Sequence, residues 1–211
     1  MDIGQWIVIG LSALMGVWFG IASFYNRRRG IATYRWITQG LKHIGKISEQ
    51  AWIGSSGTGA RLVVAKADAP FHRIETIFLL ESREIMPLWL FNRVRHKQDE
   101  MILKAGLRSA PVEEIEVAPG SDRGFRALLA EGQKRPFEQA PGPDGFIIAH
   151  RGRETGDGYE KISAFLSRYP SAVRRISIQR KTPHLVLRVN LPTLTRESPE
   201  DFFDALGDLV G

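Results

Sequence analysis

The hydrophobic pattern of the chain changes character near residue 26. From Ile3 to Tyr25 no position is charged, and apolar residues occupy every side of a helical projection over 23 residues. At 1.5 Å per residue such a helix is about 34 Å long, enough to cross a hydrocarbon core of about 30 Å. Residues 1–26 are therefore expected to form one transmembrane helix, with residues 3–25 in contact with lipid. Beyond it, in residues 27–45, apolar positions recur at Tyr34, Ile37, Leu41 and Ile44, the spacing of a one-sided helix. Arg35, Lys42 and Lys46 fall mostly off that stripe. This basic juxtamembrane segment fits either a helix on an anionic leaflet or the first helix of the following domain, packed into its core. Gly40 and Gly45 weaken an isolated surface helix and favour the second reading.

From residue 46 the pattern shortens to strand-length runs. Strands are expected at Lys46–Ile53 and Arg61–Ala67 around a Gly-rich turn, then at His72–Leu80, Met101–Leu107 and Pro111–Val117. Pro87-Leu88-Trp89-Leu90-Phe91 reads as an apolar loop beside Arg93, Arg95, His96 and Lys97. It suits membrane-surface contact or a partner groove, although aromatic residues are more often buried, which would place Trp89 and Phe91 in the core. Ser121 or Asp122 caps a short helix, and residues 132–145 form a Gly/Pro-rich loop or internal boundary. Phe146–Ala149 is a strand and Asp157–Tyr169 a helix. Val173–Gln179 and Leu185–Asn190 make a hairpin, and Ser198-Pro199 opens the closing helix. This βαββα order resembles a split β-α-β, ferredoxin-like arrangement. The expected fold is α+β, with an antiparallel or mixed sheet in a single domain over residues 46–211.

Charge sets the expected orientation. Asp2 precedes the apolar run and Arg27, Arg28 and Arg29 follow it, the reverse of a cleaved signal peptide. By the positive-inside rule the N-terminus faces out and the C-terminal domain is cytoplasmic, a single-pass signal anchor. Residues 27–110 carry fifteen Lys or Arg against seven Asp or Glu, while residues 111–211 carry fourteen against fifteen. The positive excess thus belongs to the membrane-proximal half, and anionic lipid accounts for it. Arg27, Arg28, Arg29, Arg35 and Lys42 are the expected membrane-surface contacts. Ser12, Gly16 and Gly20 share one face of the span at four-residue spacing, a surface on which two helices could form a homodimer.

Candidate chemistry is sparse. With no Cys, thiol catalysis, iron–sulfur clusters and cysteine-bound zinc are excluded. The loop after Gly54 lacks the Lys-Ser/Thr of a phosphate-binding loop, the five His residues are dispersed, and no Gly-x-Ser-x-Gly elbow is present. No cofactor and no catalytic or metal-binding residue is expected. His150, Arg151 and Arg153 form a candidate anion site after a strand. Arg174, Arg175, Arg180, Lys181 and Arg188 around the C-terminal hairpin are a candidate nucleic-acid surface, but no aromatic residues lie between them for bases to stack on. The reading preferred on these grounds is a membrane-anchored binding or assembly module with an unidentified protein partner. A membrane-tethered enzyme acting on a phosphorylated or lipid substrate is the alternative, and nucleic-acid tethering the second.

Overall fold

The computed structural model describes residues 2–95, 97–130, 137–151 and 157–211. The apolar run and the juxtamembrane segment are one element, the 42-residue helix α1 (Ile3–Ile44). Asp2 caps it, accepting a hydrogen bond from the Ile3 backbone N–H at 2.7 Å while Gln5 reaches back to the Asp2 N–H. Its first part is long and apolar enough to cross a membrane. The buried positions begin at Ala22 and continue through Asn26, Gly30, Thr33, Ile37, Gly40, Leu41 and Ile44. Their steps, nearly all of three or four residues, keep one stripe of the helix against the domain. Residues 31–44 therefore press one face into the core and leave Arg35, Gln39, Lys42 and His43 exposed, and the helix runs without a break from the apolar run to Ile44.

The rest of the chain forms β1 (Glu49–Trp52), β2 (Gly59–Val64), β3 (Phe71–Leu79), α2 (Met86–Val94), β4 (Glu100–Leu107), β5 (Glu114–Pro119), α3 (Arg123–Ala130), β6 (Glu138–Pro141), β7 (Phe146–Arg151), α4 (Asp157–Arg168), β8 (Val173–Ile178), β9 (Leu185–Asn190), α5 (Leu191–Leu194) and α6 (Pro199–Val210). The strands make one nine-stranded sheet in the order β1-β2-β3-β4-β9-β8-β5-β7-β6. Every hydrogen-bonded neighbour is antiparallel. The fold is α+β. Since β5 is antiparallel to both β7 and β8, those two strands are parallel to each other and α4 is the crossover between them. The strand they flank is β5, from earlier in the chain; a ferredoxin-like order would put β9 there.

Two local expectations are corrected. The Pro87 segment is the helix α2, not a loop, because Pro in the first turn forgoes only an N–H that has no helical partner. None of its residues is buried, so Trp89 and Phe91 do not fill the core. Of residues 132–145, Glu138–Pro141 pairs with β7 as an edge strand, and residues 131–136 lie outside the described residues.

The main core lies between one sheet face and α1, α4 and α6. Phe202 and Phe203 of α6 meet Trp36 of α1 at ring-centroid distances of 5.9 and 6.3 Å, and Phe202 meets Phe165 and Tyr169. Ser198 caps α6 through the Asp201 N–H. The smaller helix α3 covers part of the opposite face, setting Phe125 over Ala118 and Ala149. Its cap is Asp122, whose carboxylate accepts from the Phe125 N–H at 3.0 Å.

Close approach decides where α1 can seat. A Cβ on Gly30 would lie 1.7 Å from the Ser56 carbonyl oxygen, and one on Gly40 would lie 2.2 Å from the Phe203 ring. Around Gly16 and Gly20 nothing stands within 4 Å. The same substitution therefore has opposite outcomes along one helix. Gly30→Ala and Gly40→Ala should each lower the stability of the solubilised protein by about 1–3 kcal/mol. Gly16→Ala should leave it unchanged or raise it by up to about 1 kcal/mol. Denaturant titration of the three variants checks this.

Candidate functional site at the helix–domain junction

Where the apolar part of α1 meets the domain, polar groups converge on Asp99, whose side chain is fully buried. It sits just ahead of β4, and its carbonyl accepts from the Leu191 N–H that opens α5. Its carboxylate forms an ion pair with Arg29, whose Nε stands at 2.6 Å, and accepts from Arg83 Nη2 at 3.0 and 3.1 Å and from the Glu81 backbone N–H at 2.7 Å. Burying a charge in this way is tolerated when its lone pairs are filled by cations and donors, as these are. Asn26, also buried, donates to the Glu81 carbonyl at 3.0 Å and accepts from Arg83 Nη1 at 2.9 Å. Arg29 and Asn26 from α1 are thereby joined to the segment after β3 and to the start of β4.

Glu81 is the exception in this cluster. Its side chain is almost wholly buried, Arg83 Nη2 stands 3.7 Å from one carboxylate oxygen, and the other oxygen has no hydrogen-bond partner. Burial pushes its carboxyl above the usual range, and nearby Arg83 opposes the shift only in part.

Toward the apolar end of α1 the contacts turn aromatic. Trp18 Nε1 donates to the Arg83 carbonyl at 2.9 Å, and the Trp18 ring meets Trp89 of α2 at 5.2 Å. Ser23 bonds Glu84 at 3.1 Å. The short helix α2 is thus held beside the last apolar turns of α1. Between them a cavity of about 390 Å³ is lined by Tyr25 and Trp89 and by the cations Arg29, Arg83, Arg93 and Lys97.

The residues singled out by sequence separate on the structure. Arg27 and Arg28 are exposed, with Arg28 over the Phe24 ring at 5.6 Å. Arg29 turns inward to Asp99. Arg35 and Lys42 are exposed, but they stand about 15 and 26 Å beyond Tyr25 along the helix axis. Ser12, Gly16 and Gly20 lie on the exposed apolar half. His150 faces Glu138 at 4.0 Å. Arg151 is paired with Glu114 and stacks on Phe137, while Arg153 lies outside the described residues. Arg151 is thus engaged by a carboxylate beside His150. On the hairpin, Arg175 pairs with buried Glu116, Arg188 with Glu100, and Arg180 donates to the Val112 carbonyl. Those cations satisfy neighbours within the sheet. Asn26, Arg83 and Asp99 were not signalled by any motif. The one available clue was a polar Asn on the same helical stripe as Gly30, Thr33 and Ile37.

Asp99→Asn leaves two guanidinium groups facing a neutral amide. It should cost about 3–5 kcal/mol of stability, measured by denaturant titration, whereas Asp2→Asn at the exposed cap should cost about 1 kcal/mol or less. Glu81 has the opposite sign. Its folded-state carboxyl binds a proton more tightly than in the unfolded chain, so its contribution is fully present below the ordinary carboxyl value and is lost as pH rises through the raised value. Glu81→Gln should therefore gain on the parent protein as pH increases from acidic to neutral, read from thermal midpoints across that range. No protein-family model matches this chain, and comparison with curated proteins finds no match.

Proposed function

We propose that this protein is a single-pass, membrane-anchored binding or assembly module. In this reading the span is the apolar part of α1, the N-terminus lies outside and the sheet lies in the cytoplasm. The observation that carries it is the open sheet face. Among the described residues α3 covers only the β5–β7 end of the face opposite α1, leaving β2, β3, β4 and β9 without a helix over them. Strand alternation puts partly buried Ile77, Ile102, Lys104 and Val186 on that face. Ion pairs surround them: Arg61 reaches Glu75 at 2.7 Å and Glu49 at 3.0 Å, and Arg188 reaches Glu100 at 2.7 Å. Arg61 holds Glu75 below the usual carboxylate range. A surface of half-buried aliphatic side chains framed by charge has the make-up of a protein-binding face with a polar rim.

The continuity of α1 gives this face a defined attitude. A flexible tether raises a module's local concentration and leaves its orientation free. Here the helix that carries the apolar run is also a core helix, so the face is held at one angle to the span. Arg27 and Arg28, exposed just past the apolar run, are the residues that support the cytoplasmic orientation.

Because the chain has no native Cys, single-Cys labelling tests the arrangement without background. In intact bacterial cells Asp2→Cys should react with a membrane-impermeant maleimide and Asp208→Cys only after lysis. The reverse pattern would overturn the orientation. For the binding role, Ile77→Asp with Ile102→Asp should abolish retention of a stoichiometric protein partner on the solubilised full-length chain, while His150→Ala with Arg151→Ala should leave it intact. Loss in the second variant alone would move the function to the His150 region.

A further inference from the structure

The helix α2 is made of residues that water does not favour. Leu88, Leu90, Phe91 and Val94 are between 42% and 74% exposed, and no residue of the helix is buried. On a helical projection these four fall within one arc of about 160°. Trp89 and Arg93, one turn apart, lie off that arc, and both line the cavity against Tyr25 and Arg29. Arg95, just past the end of the helix, lays its guanidinium over the Phe91 ring at 5.1 Å, and the rest of the arc is open. A nine-residue helix with so little of its apolar arc covered and no buried side chain gains little from folding in water. Its position supplies the missing surroundings. The Trp18–Trp89 contact sets α2 about 13 Å from Arg27 toward the apolar end of α1, within the length that is uncharged on every side. The exposed arc of α2 thus lies on a helix held beside the exposed apolar length of α1.

We propose that α2 is a second membrane attachment, a helix embedded in the cytoplasmic leaflet. This rests on the anchored reading above. Leu88, Leu90, Phe91 and Val94 enter the acyl layer, and Arg93 and Lys97 at the cavity mouth receive the phosphate of an anionic phospholipid. Charge favours that ligand. The cavity carries four cations, Arg29, Arg83, Arg93 and Lys97, against two acids, Glu81 and Asp99. Asp99 is engaged by Arg29 and Arg83, while Arg93 and Lys97 form no ion pair among the described residues. Tyr25 and Trp89 beside them have the amphipathic rings found at membrane interfaces.

The test places one fluorophore at a time on the full-length chain, at Leu11→Cys, Leu90→Cys or Asp208→Cys. The chain is reconstituted in phosphatidylcholine vesicles, with or without phosphatidylglycerol, that carry a nitroxide near the glycerol end of the acyl chain. Asp208 is exposed beside Ile44, at the far end of α1. The nitroxide should reduce emission at Leu90 by about twofold or more, as at Leu11, and leave Asp208 unaffected. Phosphatidylglycerol should deepen the quenching at Leu90, and Arg93→Ala with Lys97→Ala should remove that increment. If Leu11 is quenched while Leu90 behaves like Asp208, the anchor stands and the proposal falls. If Leu11 is not quenched, the anchored reading itself fails. A Leu90 label shielded from aqueous iodide yet untouched by the lipid nitroxide would assign α2 to a protein partner and overturn the proposal. Quenching indifferent to phosphatidylglycerol would overturn the phosphate contact.

Discussion

The structure depends on one helix meeting two requirements without a break. Along its first part α1 is apolar on all sides, and from Ala22 onward it buries a single stripe against a sheet and α6. A helix advances by a fixed angle per residue, so the stripe must be continuous in phase from Ala22 to Ile44. Asn26, Gly30, Thr33 and Ile37 keep that phase with side chains that are small, polar or apolar as the facing surface demands. Gly30 and Gly40 remove the side chain where a carbonyl and a phenyl ring come closest. The same glycines that lower helix propensity in isolation let the helix seat, because close packing outweighs a propensity cost of about 1 kcal/mol.

The junction follows from that phase. Three consecutive arginines fan out at about 100° to one another, so they cannot share one task. Arg27 and Arg28 point away from the domain, and Arg29 reaches Asp99. Asp99 is buried because Arg83 and the Glu81 N–H complete its coordination from the other side. Asn26 bridges the remaining polar groups, so a charged cluster sits beside apolar helix surface with few unmet hydrogen bonds. The unmatched oxygen of Glu81 is the local cost of that closeness.

Elements whose periodicity is local were legible in the sequence. The apolar length of α1, the strands β3 and β4, the helix starts at Ser121 or Asp122 and at Ser198-Pro199, and the β8–β9 hairpin all show within a few neighbouring residues and were read to within a few positions. The Tyr34–Ile37–Leu41–Ile44 stripe was legible too, but its join to the span was not, since three arginines look like a boundary when their directions are unknown. The insertion of β5 between β7 and β8 rests on pairings across the chain that no local pattern encodes. At α2 the composition was plain and the burial was misjudged. Trp89 and Phe91 resemble core residues until their neighbours are seen, Trp18 beside the one and the Arg95 guanidinium over the other. The Asp99 cluster joins residues 55 to 73 positions apart along the chain for Asn26 with Glu81 and Asp99, and its members are ordinary in isolation.

Continuity of α1 also turns the spacing between the apolar run and the sheet from a length into a phase. Inserting one residue near Ser23 would raise the sheet by about 1.5 Å and swing it around the helix by about 100°, pulling Arg29 away from Asp99. Adding two whole turns would restore the azimuth to within about 20° but lift the sheet by about 10 Å and draw α2 out of register with Trp18. The chain thus admits almost no change of length at this point, and the height and facing of its sheet are written in whole helical turns.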